Sequence, residues 1–133
     1  MIEKITGSII LDNENIVLSS GMSYETFLNT PLYKGGIVDK NYSLKDTQEI
    51  SGKGFLVTLF FNEGKLKEVH LSEVINGLSW DNWSEDVEMT KKESHDQWLS
   101  TILGEEPYIY SWGQVESVFD KKGCVSSIII RYY

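Results

Sequence analysis

The sequence predicts an α+β fold, one antiparallel sheet with two helices packed on it, built from a degenerate helix-then-hairpin repeat over a single 133-residue domain. Three observations predict it. The first stretch runs from Met22-Ser23 through a short apolar helix pattern with Phe27 and Leu28 to Thr30-Pro31, then along an apolar run that turns at Asn62-Glu63-Gly64. The second runs from Met89-Thr90 through a helix pattern with Trp98 and Leu99 to Gly104 and Pro107, then along an apolar run that turns at Lys121-Lys122-Gly123. The third is size: single domains cluster at roughly 100–150 residues, and two domains cut from this chain would each be short of core.

In chain order, residues 2–11 are rich in β-branched isoleucine and are followed by the turn-forming Asp12-Asn13-Glu14-Asn15, after which Ile16-Val17-Leu18 resumes the pattern. This predicts an opening hairpin. Ser23 caps the first helix, because its hydroxyl can accept an orphan backbone N–H, with Met22 and Phe27 spaced as a hydrophobic staple. Thr30-Pro31 stops that helix after about two turns, since proline disfavours helical geometry in the residue before it. From Leu32 to Gly54 the periodicity weakens, predicting one irregular strand near Ile37 and Val38 and then an exposed loop. Phe55 to Phe61 is nearly all apolar and reads as a central strand buried on both faces. After the Asn62-Glu63-Gly64 turn, Leu66, Glu68 and His70 alternate with Lys67, Val69 and Leu71, as in a return strand with one wet face.

A polar connector spans Ser72 to Thr90, and Thr90-Lys91-Lys92-Glu93 then matches a capping box that starts the second helix. His95, Trp98, Leu99, Ile102 and Leu103 share one face of that helix, which Gly104 closes. Tyr108 to Phe119 and Val125 to Tyr132 complete the sheet as two strands, and Gly113 marks a bulge or a close backbone approach. Trp98 and Trp112, each inside a periodic apolar segment, belong to the core.

Twenty acidic against twelve basic side chains give a net charge of −8. That sign opposes phosphate backbones and anionic lipid, so nucleic acid and membrane are set aside as partners, and a cationic protein surface is favoured. Simple solubility explains the same charge. Cys124 is the sole cysteine, so no internal disulfide and no thiolate metal cage can form. The start, Met1-Ile2-Glu3-Lys4-Ile5, lacks the basic and long apolar regions of a signal peptide, and the chain reads as cytoplasmic.

No strong catalytic motif is present. His95-Asp96 could form a base with its orienter, but helical neighbours point about a hundred degrees apart, so Asp96 is badly placed to hold that ring. His70, His95 and Cys124 fall within zinc's ligand inventory without the spacing of a ligand motif, and neither a metal nor a cofactor is expected. The densest chemistry is acidic and aromatic: Trp80, Asp81, Trp83, Glu85, Asp86 and Glu88, with Glu93 and Asp96 beyond. Tryptophans beside acids serve interfaces as anchors and steering charges, so those first six residues form the expected partner-binding set. As alternatives, Trp80 and Trp83 could stack on a glycan or another small ligand, or His95 with His70 and Tyr110 could line a small enzyme's cleft.

The run from His95-Asp96-Gln97-Trp98-Leu99 through Tyr110-Ser111-Trp112-Gly113 to Asp120-Lys121-Lys122-Gly123 and Ile128-Ile129-Ile130 resembles a pattern in small bacterial immunity-type proteins that protect cells from polymorphic toxins. The helix-then-hairpin plan is also similar to the beta-lactamase inhibitor protein group, whose sheets bind enzymes through aromatics and acids. The resemblance implies a non-catalytic protein that inhibits a partner, such as a basic toxin domain.

Overall fold

Strand pairing sets the architecture, a seven-stranded sheet that runs in the order Asn41–Ser43, Lys53–Asn62, Lys65–Glu73, Val125–Tyr132, Gly113–Asp120, Ile109–Tyr110, with Gln48–Ile50 also on Lys53–Asn62, every pairing antiparallel. The fold is that of a computed structural model, which describes residues 1–12, 16–36, 38, 40–74, 85–120 and 125–133, the side chains of 85 and 86 excepted. The strands are β3 (Asn41–Ser43), β4 (Gln48–Ile50), β5 (Lys53–Asn62), β6 (Lys65–Glu73), β7 (Ile109–Tyr110), β8 (Gly113–Asp120) and β9 (Val125–Tyr132). A separate two-stranded sheet, β1 (Ile9–Ile10) with β2 (Val17–Leu18), is the expected opening hairpin. The helices are α1 (Tyr24–Leu28) and α2 (Glu85–Leu103). No helix among the described residues is long and apolar enough to cross a membrane.

The β5–β6 hairpin forms where its turn residues demand. Glu63 and Gly64 both take positive φ, 54° and 75°, the geometry of a two-residue turn whose twist matches the flanking strands. Ser23 caps α1 as expected, its hydroxyl accepting the Thr26 N–H at 3.0 Å. The helix is tied to the hairpin tip on both sides of that cap: the Tyr24 N–H donates to Gly64 O and the Leu66 N–H to Met22 O, each at 2.8 Å. Phe27 then packs with Tyr42 and Phe61, ring centroids 5.2 and 5.7 Å away.

Several expectations are corrected. β5 is not buried on both faces: Phe55, Val57, Leu59 and Phe61 point into the core, whereas Leu56 between them is 55% exposed. Among the described residues the helix α2 covers one side of the sheet, and the run of apolar residues in β5 alternates in burial. Simple alternation also fails in β6, where Phe61 pairs with Leu66 but Phe60 pairs with Glu68. Lys67 is therefore the extra residue of a β-bulge, which lets Leu66 and Val69, three apart, both turn inward. The region from Leu32 to Gly54 is not an exposed loop with a strand near Val38. Val38 is outside any strand, residue 37 lies outside the described residues, and β3 and β4 flank β5 with Tyr42, Leu44 and Ile50 buried.

The second half differs similarly. α2 begins at Glu85, so Thr90 and Glu93 sit inside the helix and form no capping box at its start. The strand expected from Tyr108 to Phe119 is folded into β7 and β8 around Ser111 and Trp112. Gly113 does mark a close approach: a Cβ there would lie 1.9 Å from Arg131 O. Trp98 is buried as expected, but Trp112 only partly so, stacked on Tyr110 at 5.1 Å with its Nε1–H donating to Lys4 O. The buried apolar residues, from Ile2 to Tyr132, form one continuous core.

Candidate functional site

The buried stripe of α2 is apolar only in its C-terminal half. Trp98, Leu99 and Leu103 enter the core, with Trp98 edge-on to Phe55 at 4.9 Å, while the same face upstream carries Glu88, Lys91 and His95. Glu88 is thus not the solvent-facing steering charge expected from the sequence. It is 3% exposed, lies 3.4 Å from Lys91 Nζ, and its backbone carbonyl accepts the Ser126 hydroxyl at 2.5 Å. Helical spacing contained the signal, because stepping back from His95 by four and then three residues reaches Lys91 and Glu88. Reading a helix start at Thr90 concealed it. Of the other expected binding residues, Trp80, Asp81 and Trp83 lie outside the described residues, and Glu85 and Asp86 open α2 with side chains likewise outside them.

His95 is fully buried. Its Nε2 accepts the Glu73 N–H at 3.1 Å, which places the ring proton on Nδ1, a buried atom without a hydrogen-bond partner. Burial drives its pKa down to about 4, with the nearby Glu73 charge opposing only in part, so the imidazole is neutral near pH 7. Asp96 takes no part in orienting it and instead pairs with Lys92 at 2.9 Å. Glu73 is bound by Lys53 at 2.9 Å; burial pushes that carboxyl up, but the hydrogen bonds and charge of its partners outweigh it and the pKa ends below the ordinary value.

The residues of the enzyme alternative are not brought together. His70 projects from the opposite face of β6, 2.7 Å from Glu68 and tilted against Phe60 with ring centroids 4.4 Å apart. Tyr110 sits beside Trp112 at the end of β9 that pairs with Gly113, whereas His95 is at the other end, bonded to Glu73, whose neighbour Ser72 donates to Ser126 O. Among the described residues no group of three or more His, Cys, Asp and Glu side chains could hold a metal ion, and Cys124 lies outside them.

The surface opens at the opposite edge of the sheet from β5. A cleft of about 420 Å³ lies between α2 and β8, lined among others by Lys92, Asp96, Glu106, Tyr108, Glu116 and Ser117. Three of those six side chains are acids, and the single cation, Lys92, is spent on Asp96. Tyr108 donates its hydroxyl to Gly104 O at 3.0 Å and burial raises its pKa, so it remains a neutral wall. Glu116 also reaches the face that carries His70, where Arg131 bridges it to Glu68 at 3.0 and 2.7 Å. The arrangement presents carboxylates and an apolar floor without a nucleophile and base in contact. Sequence reasoning missed this cleft because its lining joins residues from 92 to 118 that only tertiary packing brings together. Set against known protein families, curated proteins and solved structures, the chain matches none.

Proposed function

We propose that this chain is a non-catalytic binding domain that inhibits a basic partner protein, in the manner of an immunity protein neutralising a toxin domain. The observation that carries the reading is the cleft at the β8 edge, where Asp96, Glu106 and Glu116 lie in the lining, Asp96 paired with Lys92 and Glu116 with Arg131, so that the carboxylates still outnumber the cations that meet them. His95, the residue an enzymatic reading needs most, is sealed and already committed to a backbone N–H. An excess charge of −8 steers a cationic surface toward such a cleft, raising association rate more than intrinsic affinity. The sequence resemblance supplies the inhibitory form of the reading, and the two helix-then-hairpin stretches are read as descendants of one unit.

The test is association kinetics with a partner recovered from the native cell, followed across a salt series. The Glu106→Gln/Glu116→Gln protein and the Asp81→Asn/Glu85→Gln/Asp86→Asn protein are each expected to bind several-fold more slowly at low salt and with a flatter salt dependence. Unaltered rates in both would reject acid-steered docking.

A further inference from the structure

Resting on that reading, we propose that the outer edge of β8 takes up an extended, basic segment of the partner as an added antiparallel strand, with alternate side chains of that segment entering the α2–β8 cleft. The main chain supplies the first argument. The Val115 N–H donates to Tyr108 O at 2.9 Å, so Val115 directs its peptide groups away from β9 and toward the sheet edge. With the two-residue period of a strand, Ser117 and Phe119 direct theirs to the same edge. β7 pairs only as far as Gln114, and among the described residues no strand pairs with β8 beyond it on that side. An unpaired edge of this kind is a template for strand addition, the backbone giving affinity and side-chain pockets giving selectivity.

The cleft supplies the pocket. It borders the same stretch, with Glu116, Ser117 and Val118 in its wall, and the Ser117 hydroxyl oxygen is buried without a hydrogen-bond partner among the described residues. An inward-facing side chain on the added strand could satisfy it. Charge selects the occupant. Asp96, Glu106 and Glu116 outnumber Lys92 and Arg131, the two cations paired with Asp96 and Glu116, and the chain as a whole carries −8, so lysine or arginine side chains on the incoming segment gain where glutamates would be repelled. The same reasoning disfavours a second copy of this chain, because two chains of net charge −8 repel each other.

Amide hydrogen exchange by NMR tests the inference with a capped, alternating lysine–threonine peptide of about ten residues as the probe. In the free protein the Ser117 and Phe119 amides should exchange rapidly, and at nine-tenths occupancy by the peptide they should slow about tenfold. A glutamate–threonine peptide should have no effect. Peptide methylated on the edge-facing amides should lose the protection, and so should the Ser117→Pro protein, in which the proline removes an edge donor without touching the β8–β9 ladder. Ser117 and Phe119 amides already slow in the free protein, or concentration-dependent dimerisation that slows them, would overturn the inference. Peptide binding that leaves both amides fast would overturn strand addition while leaving the basic-partner reading intact. Equal binding of the acidic peptide would overturn that reading itself.

Discussion

β5 and β8 are both long strands with a hydrophobic inner face, yet among the described residues one is enclosed and the other is not. β5 has β6 along one edge and β3 and β4 along the other, with the gap between those two filled by the Leu44 N–H donating to Val57 O at 2.9 Å. β8 has β9 along its whole length but β7 against only Gly113 and Gln114. The difference teaches where stability and function are separated in this molecule. Residues 41–50, which show no clear periodicity, close the side where a further strand could add, and the opposite side is left with carboxylates and a cleft.

The comparison is broken most severely on its enclosed side. Phe55 is fully buried against Trp98, and Phe55→Ala should cost about 4 kcal/mol in chemical denaturation, a cavity effect that a surface-lying ring would not produce. Next comes the polar layer that α2 lays over the sheet between the two edges. Because the His95 pKa falls from 6.5 to about 4 on folding, the unfolded chain takes up a proton in that window that the native state refuses. Stability should therefore be complete above pH 6.5 and decline with acid by about 3 kcal/mol toward pH 4. His95→Gln should flatten that window and leave the further acid loss below about pH 4.5 that arises from Glu68 and Glu73, whose carboxyls both lie below their ordinary values. A pH profile identical in the two proteins would exclude His95 as its source.

On the open side, Gly113→Ala forces a Cβ against Arg131 O and should cost about 2 kcal/mol, with hydrogen exchange quickening in β7 and β8 before β5. Faster exchange first in β5 would contradict the division between the two edges. The smallest effect belongs to the α1 cap on the hairpin tip. Ser23→Ala removes one hydrogen bond to the Thr26 N–H and should lower stability by about 1 kcal/mol in thermal unfolding, leaving peptide uptake at β8 unaltered.

Legibility in the sequence followed the range of the forces involved. Ser23 as a cap, Glu63-Gly64 as a turn, the opening hairpin and the strand ending at Tyr132 were readable because each depends on neighbours a few residues away. The phase shift at Lys67 was not, since a bulge is imposed by the partner strand. Nor was the inward turn of Glu88, which a local charge count places in solvent but which the helix's orientation on β9 buries beside Lys91 and Ser126. Trp80, Asp81 and Trp83 lie outside the described residues, and the cleft that bears the functional reading draws on residues with ordinary local patterns.

The amino-acid order by itself determined the fold class, the antiparallel hairpins and the apolar half of α2, because capping, turn geometry and side-chain periodicity are settled within a few residues. Tertiary structure alone decided the strand order, the face on which α2 lies, the polar half of the α2 stripe and the β8 edge that no strand among the described residues pairs beyond Gln114, beside an acidic cleft. Those depend on which distant backbone groups find hydrogen-bond partners and which do not, a competition resolved only when the whole sheet assembles.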